Sequence, residues 1–207
     1  MTSAPSSSPA VPATATQPIS ITGAVGAIFL PIMLALAVQF YLESDEILGL
    51  PMYVMLLVGL AYILVSTGMF ALGGKGGGGF ASTIGGFHIA TALAWVVPSI
   101  LIMKTRSEGF DKGTVAILFI AMHGLAAITW ILSGIWGLTA RRAVGTPLAI
   151  AHGILALLGG LGLAATIFAV VSNTIHREAF GTFFGASIGV IAASSITLAV
   201  ALLRKPR

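Results

Sequence analysis

The chain has 207 residues, of which 57% are hydrophobic and only 8% are charged, and its mean hydropathy is +1.05. A soluble domain carries roughly a quarter of its residues as charged side chains, so this composition excludes a water-soluble globule and belongs to an integral membrane protein. The absence of cysteine excludes disulfides, thiolate metal sites and cysteine nucleophiles, and the net charge of +4 comes from basic residues scattered over loops, which form no nucleic-acid-binding stripe.

Residues 1–19, "MTSAPSSSPAVPATATQPI", are rich in Ser, Pro, Ala and Thr and hold no charged side chain. They lack the basic start and cleavable apolar stretch of a signal peptide, so a retained, disordered cytoplasmic tail is expected. The membrane domain, residues 20–207, contains six apolar runs at about 20–41, 52–73, 82–103, 114–138, 147–172 and 181–203. Each is long enough for a helix to cross the roughly 30 Å hydrocarbon layer. Lipid offers backbone groups no hydrogen-bond partner, and the runs lack the period-two alternation of a barrel, so the spans are helical. The expected fold class is therefore an all-α integral membrane protein, a six-transmembrane-helix bundle. Short connections pair the spans as three helical hairpins, 1–2, 3–4 and 5–6.

Several local features follow in chain order. Pro31 and Pro98 fall inside the first and third runs and predict kinks. "YLESDEILGLP" at 41–51 carries three acidic residues and reads as a solvated loop. "GGKGGGG" at 73–79 imitates a phosphate loop, but Lys75 precedes Gly76 rather than Ser or Thr and no strand leads into it, so a turn is expected. In the fifth and sixth runs, "HGILALLGGLGLAA" and "GTFFGASIGVIAASS" space small residues for close helix approach. Tyr41 and Trp136 lie near helix ends, where aromatic belts are expected, whereas Trp95 and Trp130 lie deeper and could line a bound ring.

With six spans, the N-terminal tail, Lys75, Arg141, Arg142 and the terminal "LLRKPR" share one side, and no acidic residue joins them. The other side collects Glu43, Asp45, Glu46, Glu108, Asp111 and Glu178 with the remaining basic residues. The positive-inside rule then places both termini in the cytoplasm. The expected location is a bacterial cytoplasmic (inner) membrane, among lipid and other membrane subunits of a larger complex, without nucleic acid.

The residues that call for chemistry are His88, His123 and His152, each set deep in an apolar run. An ionisable side chain within the bilayer is costly and by default a functional hypothesis. No carboxylate or amine shares the runs, which argues against proton relays, carboxylate-bearing metal sites and a retinal Schiff base. A tetrapyrrole needs only one or two axial imidazoles, because its own nitrogens fill the metal plane. Counted from the cytoplasmic ends, His88 and His152 lie at similar depth and form the expected ligand pair of a b-type haem. His123 lies nearer the middle or the far side, as a hydrogen-bonding residue or a second ligand. Arg141 and Arg142 lie at the end where haem propionates would emerge.

The expected function is a haem-binding electron-transfer or anchor subunit that works with a quinone and a larger redox complex, without catalytic activity of its own. The alternative is a non-catalytic accessory subunit of a respiratory or photosynthetic assembly, whose histidines ligate the magnesium of chlorophyll or bacteriochlorophyll or bond neighbouring helices. A small transporter is the third reading.

Overall fold

The computed structural model describes residues 16–43, 50–74, 78–104, 112–139, 146–172, 174 and 177–204. Its elements are α1 (Thr16–Glu43), α2 (Met52–Leu72), α3 (Gly78–Lys104), α4 (Lys112–Thr139), α5 (Thr146–Val171) and α6 (Arg177–Leu203). The shortest, α2, has 21 residues, and at about 1.5 Å rise per residue even this helix covers the hydrocarbon thickness. All six are long and apolar enough to cross a membrane, so the chain is a multi-pass membrane protein in contact with lipid.

Four of the helices, α1, α3, α4 and α6, outrun the apolar runs that announce them. α1 begins at Thr16, inside the segment expected to be a tail, and α3 and α6 start several residues early. Hydropathy marks only the stretch immersed in hydrocarbon, whereas backbone hydrogen bonding continues into the polar interface. Proline punctuates two of the starts. Pro51, at φ −58° and ψ 137°, immediately precedes α2, and Pro147 stands in the first turn of α5, where its missing N–H is not needed. Pro31 and Pro98 are carried inside α1 and α3. Gly78 enters α3 at φ +71°, a conformation that favours glycine.

Each helix packs against its neighbours in sequence, and α6 returns against α1, so the six close into a ring. Facing residues show antiparallel neighbours, because numbering falls on one helix as it rises on the other: Gly23 meets Gly68 while Gly26 meets Leu64 and Val65, Gly59 meets Ala92 while Phe70 meets Gly85, and Gly159 meets Ile191 while Gly162 meets Ser187. The thinnest of the six contacts is α3 with α4, while α4 with α5 is the most extensive. Span 4 is thus packed far more closely on span 5 than on span 3.

Apolar side chains face both ways. Val25, Ile28 and Ile32 on α1 and Leu158, Leu161 and Phe168 on α5 are turned outward, as a lipid solvent requires. The interior holds Trp95, Trp130, Trp136, Tyr62 and Phe119 together with the buried polar side chains, which among the described residues are only Ser, Thr and His. Many of these hydroxyls are satisfied within their own helix: Ser66 donates to the Ile63 carbonyl at 2.6 Å, and Thr166 to the Gly162 carbonyl at 2.8 Å.

Small residues set the α4–α5 distance. A Cβ at Gly137 would lie 2.9 Å from the Gly153 Cα, and one at Gly160 would lie 2.9 Å from the Ala127 carbonyl oxygen. Because those obstacles are backbone, they yield only if the helices separate. Gly137→Ala is expected to destabilise the protein by about 1–3 kcal/mol through overpacking. Gly189→Ala, where nothing lies within 4 Å, should be neutral or slightly stabilising. Thermal unfolding of both variants in detergent, scored against wild type, checks the contrast.

Candidate functional site: three buried imidazoles

His88 on α3, His123 on α4 and His152 on α5 all point into the ring, at 0%, 1% and 2% exposure. Their hydrogen-bonding states differ, and the difference singles out one of them.

His152 is fully engaged. Its Nδ1 lies 3.1 Å from the Ser194 carbonyl oxygen and 2.9 Å from the Ser194 hydroxyl. A carbonyl can only accept, so Nδ1 carries the proton. The Ser194 hydroxyl accepts beside it and donates its own proton to the His152 carbonyl at 3.2 Å. Nε2 is then the lone-pair nitrogen, and it accepts from the Ser133 hydroxyl at 2.9 Å. One neutral imidazole thereby ties α4, α5 and α6 together with no valence left over.

His123 follows the same pattern more loosely. Its Nδ1 donates to the Phe119 carbonyl at 3.0 Å, and its Nε2 faces the Tyr41 hydroxyl at 3.4 Å, at the long limit of a hydrogen bond. Aromatic rings enclose it: Phe119 at 4.4 Å between centroids, Trp95 and Phe184 at 5.2 Å, and Tyr41 at 5.6 Å.

His88 has no hydrogen-bond partner at either ring nitrogen. Tyr62 lies across its face at 5.7 Å and 34°, and Trp130 meets it edge-on at 5.6 Å and 85°. The Trp130 indole N–H donates to the Tyr62 hydroxyl at 3.1 Å, which locks these two rings to one another and leaves the imidazole out. A neutral imidazole has one donor and one acceptor, and leaving a buried polar group unpaired costs about 1–3 kcal/mol. Among the described residues, the other buried side-chain atoms without a partner are Trp95 Nε1 and Ser195 Oγ.

The two histidines expected to pair as metal ligands share an aromatic neighbour. The Trp130 indole contacts both rings, at 5.6 Å from His88 and 6.5 Å from His152. His123 sits in the separate cluster around Tyr41 and Trp95. Arg141 and Arg142 lie outside the described residues. Tyr41 and Trp136, expected in interfacial belts, are instead buried at 7% and 1% exposure. Tyr41 turns to His123, and Trp136 packs 6.2 Å from His152. Position near a helix end does not decide which way a ring points.

Sequence reasoning did not find Ser133, Ser194 and Tyr62. Serines are common in the runs, and only the register between helices shows which of them meet an imidazole. The described residues contain no cluster of three or more His, Cys, Asp or Glu that could hold a metal ion unaided. No family model, curated protein or solved structure matches the chain.

Ser133→Ala removes the one partner of His152 Nε2, whereas Ser194→Ala leaves the Ser194 carbonyl to accept from Nδ1. Ser133→Ala is therefore expected to cost about 1–2 kcal/mol and Ser194→Ala less. Denaturation of the two variants in mixed micelles gives the order, and a larger loss for Ser194→Ala would reverse the tautomer derived above.

Proposed function

We propose that the chain is a membrane-embedded subunit, without catalytic activity of its own, that holds one metallated tetrapyrrole through His88 as a single axial ligand. The observation that carries this reading is the wholly buried His88 ring with both nitrogens unpaired. A lone pair kept dry and unbonded is poised to bind a metal whose remaining in-plane positions are filled by a macrocycle. His123 and His152 each have both nitrogens engaged, so His88 alone, and not the expected His88–His152 pair, is proposed as the ligand. His152 would have to surrender Ser133 to serve as a second ligand.

His88 would hold a haem b, or equally the magnesium of chlorophyll or bacteriochlorophyll. Such a group would supply electron transfer, with a bilayer quinone as the natural exchange partner, or light absorption. The chain itself supplies the ligand, the dry surroundings and the aromatic walls Tyr62 and Trp130. Buried polarity limited to Ser, Thr and His among the described residues supports a cofactor anchor over an ion or proton transporter. Both termini are proposed to face the cytoplasm of a bacterial inner membrane, with the subunit one of several in a redox or photosynthetic complex. Arg141 and Arg142 are proposed to meet the propionates in the haem case.

A second reading has its own observation. Tyr62 and Trp130 pack directly on His88 as in a closed core, which suits an accessory subunit whose histidines only join and fill helices.

The test is an oxidised-minus-dithionite-reduced visible spectrum of protein purified from its native membrane with its partners. A redox-sensitive band, or a far-red band indifferent to dithionite, is expected in wild type, lost in His88→Ala and retained in His152→Ala. A colourless preparation sinks the cofactor reading in favour of the second. In ligand-free protein, His88→Leu should raise stability by about 1–2 kcal/mol, because it deletes two unpaired polar atoms. Thermal unfolding checks this.

A further inference from the structure

We propose that Tyr41 is a redox-active residue: a one-electron oxidant at the membrane face where α1 ends takes an electron from its phenol while the phenolic proton passes to His123 Nε2. This role is independent of any tetrapyrrole at His88.

The tautomer of His123 supplies the base. Its Nδ1 lies 3.0 Å from the Phe119 carbonyl oxygen, which can only accept, so that nitrogen carries the ring proton and Nε2 keeps its lone pair. The group facing Nε2 is the Tyr41 hydroxyl at 3.4 Å, and it is therefore the donor. A phenol that loses an electron becomes a strong acid, so reversible oxidation requires a base within hydrogen-bond reach of its proton. Contacts between an acid and its base are often long at rest and tighten as the proton moves, which suits a pair at this distance.

The three tyrosines of the chain differ in this respect. The Tyr62 hydroxyl accepts from Trp130 and, among the described residues, meets no acceptor for its own proton. Tyr53 is 57% exposed at the start of α2 and touches Phe40 only ring to ring. Tyr41 alone has an imidazole lone pair in front of its hydroxyl. The neighbouring Trp95 indole, 5.2 Å from His123, keeps its N–H without any partner, so an electron taken from Trp95 leaves that proton nowhere to go.

The surroundings make the step reversible. Tyr41 meets Phe119 and Phe184 edge-on at 6.3 and 5.5 Å, and the same two rings flank His123 at 4.4 and 5.2 Å. None of these rings accepts a proton. When Tyr41 is oxidised, its O–H bond breaks, an Nε2–H bond forms, the oxidant gains one electron, and a neutral phenoxyl radical faces an imidazolium. The proton stays on Nε2 until an electron returns, and then goes back to the phenol oxygen. The oxidant required is a high-potential one-electron carrier acting from the aqueous phase without entering the ring. Tyr41 stands two residues before Glu43, the exposed end of α1, about 3 Å of helix rise, so the electron has a short path to that face.

The test uses the full chain in lipid nanodiscs, in a Tyr53→Phe background that removes the exposed phenol. Flash-generated tris(bipyridine)ruthenium(III) in the aqueous phase serves as oxidant, and electron paramagnetic resonance detects the radical. A neutral tyrosyl signal is expected, lost on adding Tyr41→Phe and retained on adding Tyr62→Phe. His123→Phe keeps an aromatic ring but removes the base, and should slow radical formation about a hundredfold or more, the scale on which a positioned base acts. Protein prepared in D2O, which needs no further substitution, should form the radical more slowly than protein in H2O. Absence of a tyrosyl signal, its loss with Tyr62→Phe instead of Tyr41→Phe, or a rate indifferent to both His123→Phe and D2O overturns the proposal.

Discussion

A bilayer offers no partner to a polar group, and the organisation of this protein follows from how its polar atoms are matched from within. Backbone groups are matched by making every span a helix. Serine and threonine are matched by the carbonyls of their own helices, which lets Ser66 and Thr166 sit in the interior at little cost. Imidazole is harder, because its donor and acceptor point in opposite directions and both need a partner. His152 meets the demand with groups from two other helices, so its tautomer and the positions of α4 and α6 depend on one another.

Against that background the state of His88 carries information. Aromatic rings, Tyr62 and Trp130, pack on it, and the Trp130 N–H is committed to the Tyr62 hydroxyl. A core selected only for stability would place leucine or phenylalanine there. An unpaired imidazole lowers stability at one point, and on that cost the proposed ligand role rests. The contacts around the ring differ in kind: several bring glycine against a facing backbone, whereas α3 meets α4 through the Thr91–Thr129 hydroxyl pair and the ring contacts His88–Trp130 and Trp95–His123.

Much of the architecture was legible beforehand. Six hydrophobic runs, each matched to bilayer thickness, place the helices to within a few residues, and errors such as the start of α1 at Thr16 arise because hydropathy senses lipid immersion rather than hydrogen bonding. The glycine spacing in "HGILALLGGLGLAA" announced close packing, and Gly153, Gly159 and Gly160 provide it against α4 and α6. The three histidines were legible as candidates because charge is otherwise missing from the spans.

Their division of labour was not legible. Depth arithmetic put His88 and His152 at one level but could not foresee that a tryptophan from a third helix touches both, nor that two serines complete one and leave the other bare. Nor could position near a helix end tell whether Tyr41 and Trp136 face lipid headgroups or the interior, because that depends on rotation about the helix axis. Sequence by itself determined what burial in hydrocarbon determines: the number of helices, their extent and the three imidazoles within them. Tertiary structure alone decided rotation and register between helices, and with them which imidazole is satisfied, since a hydrogen bond depends on ångström distances between residues that are far apart in the chain.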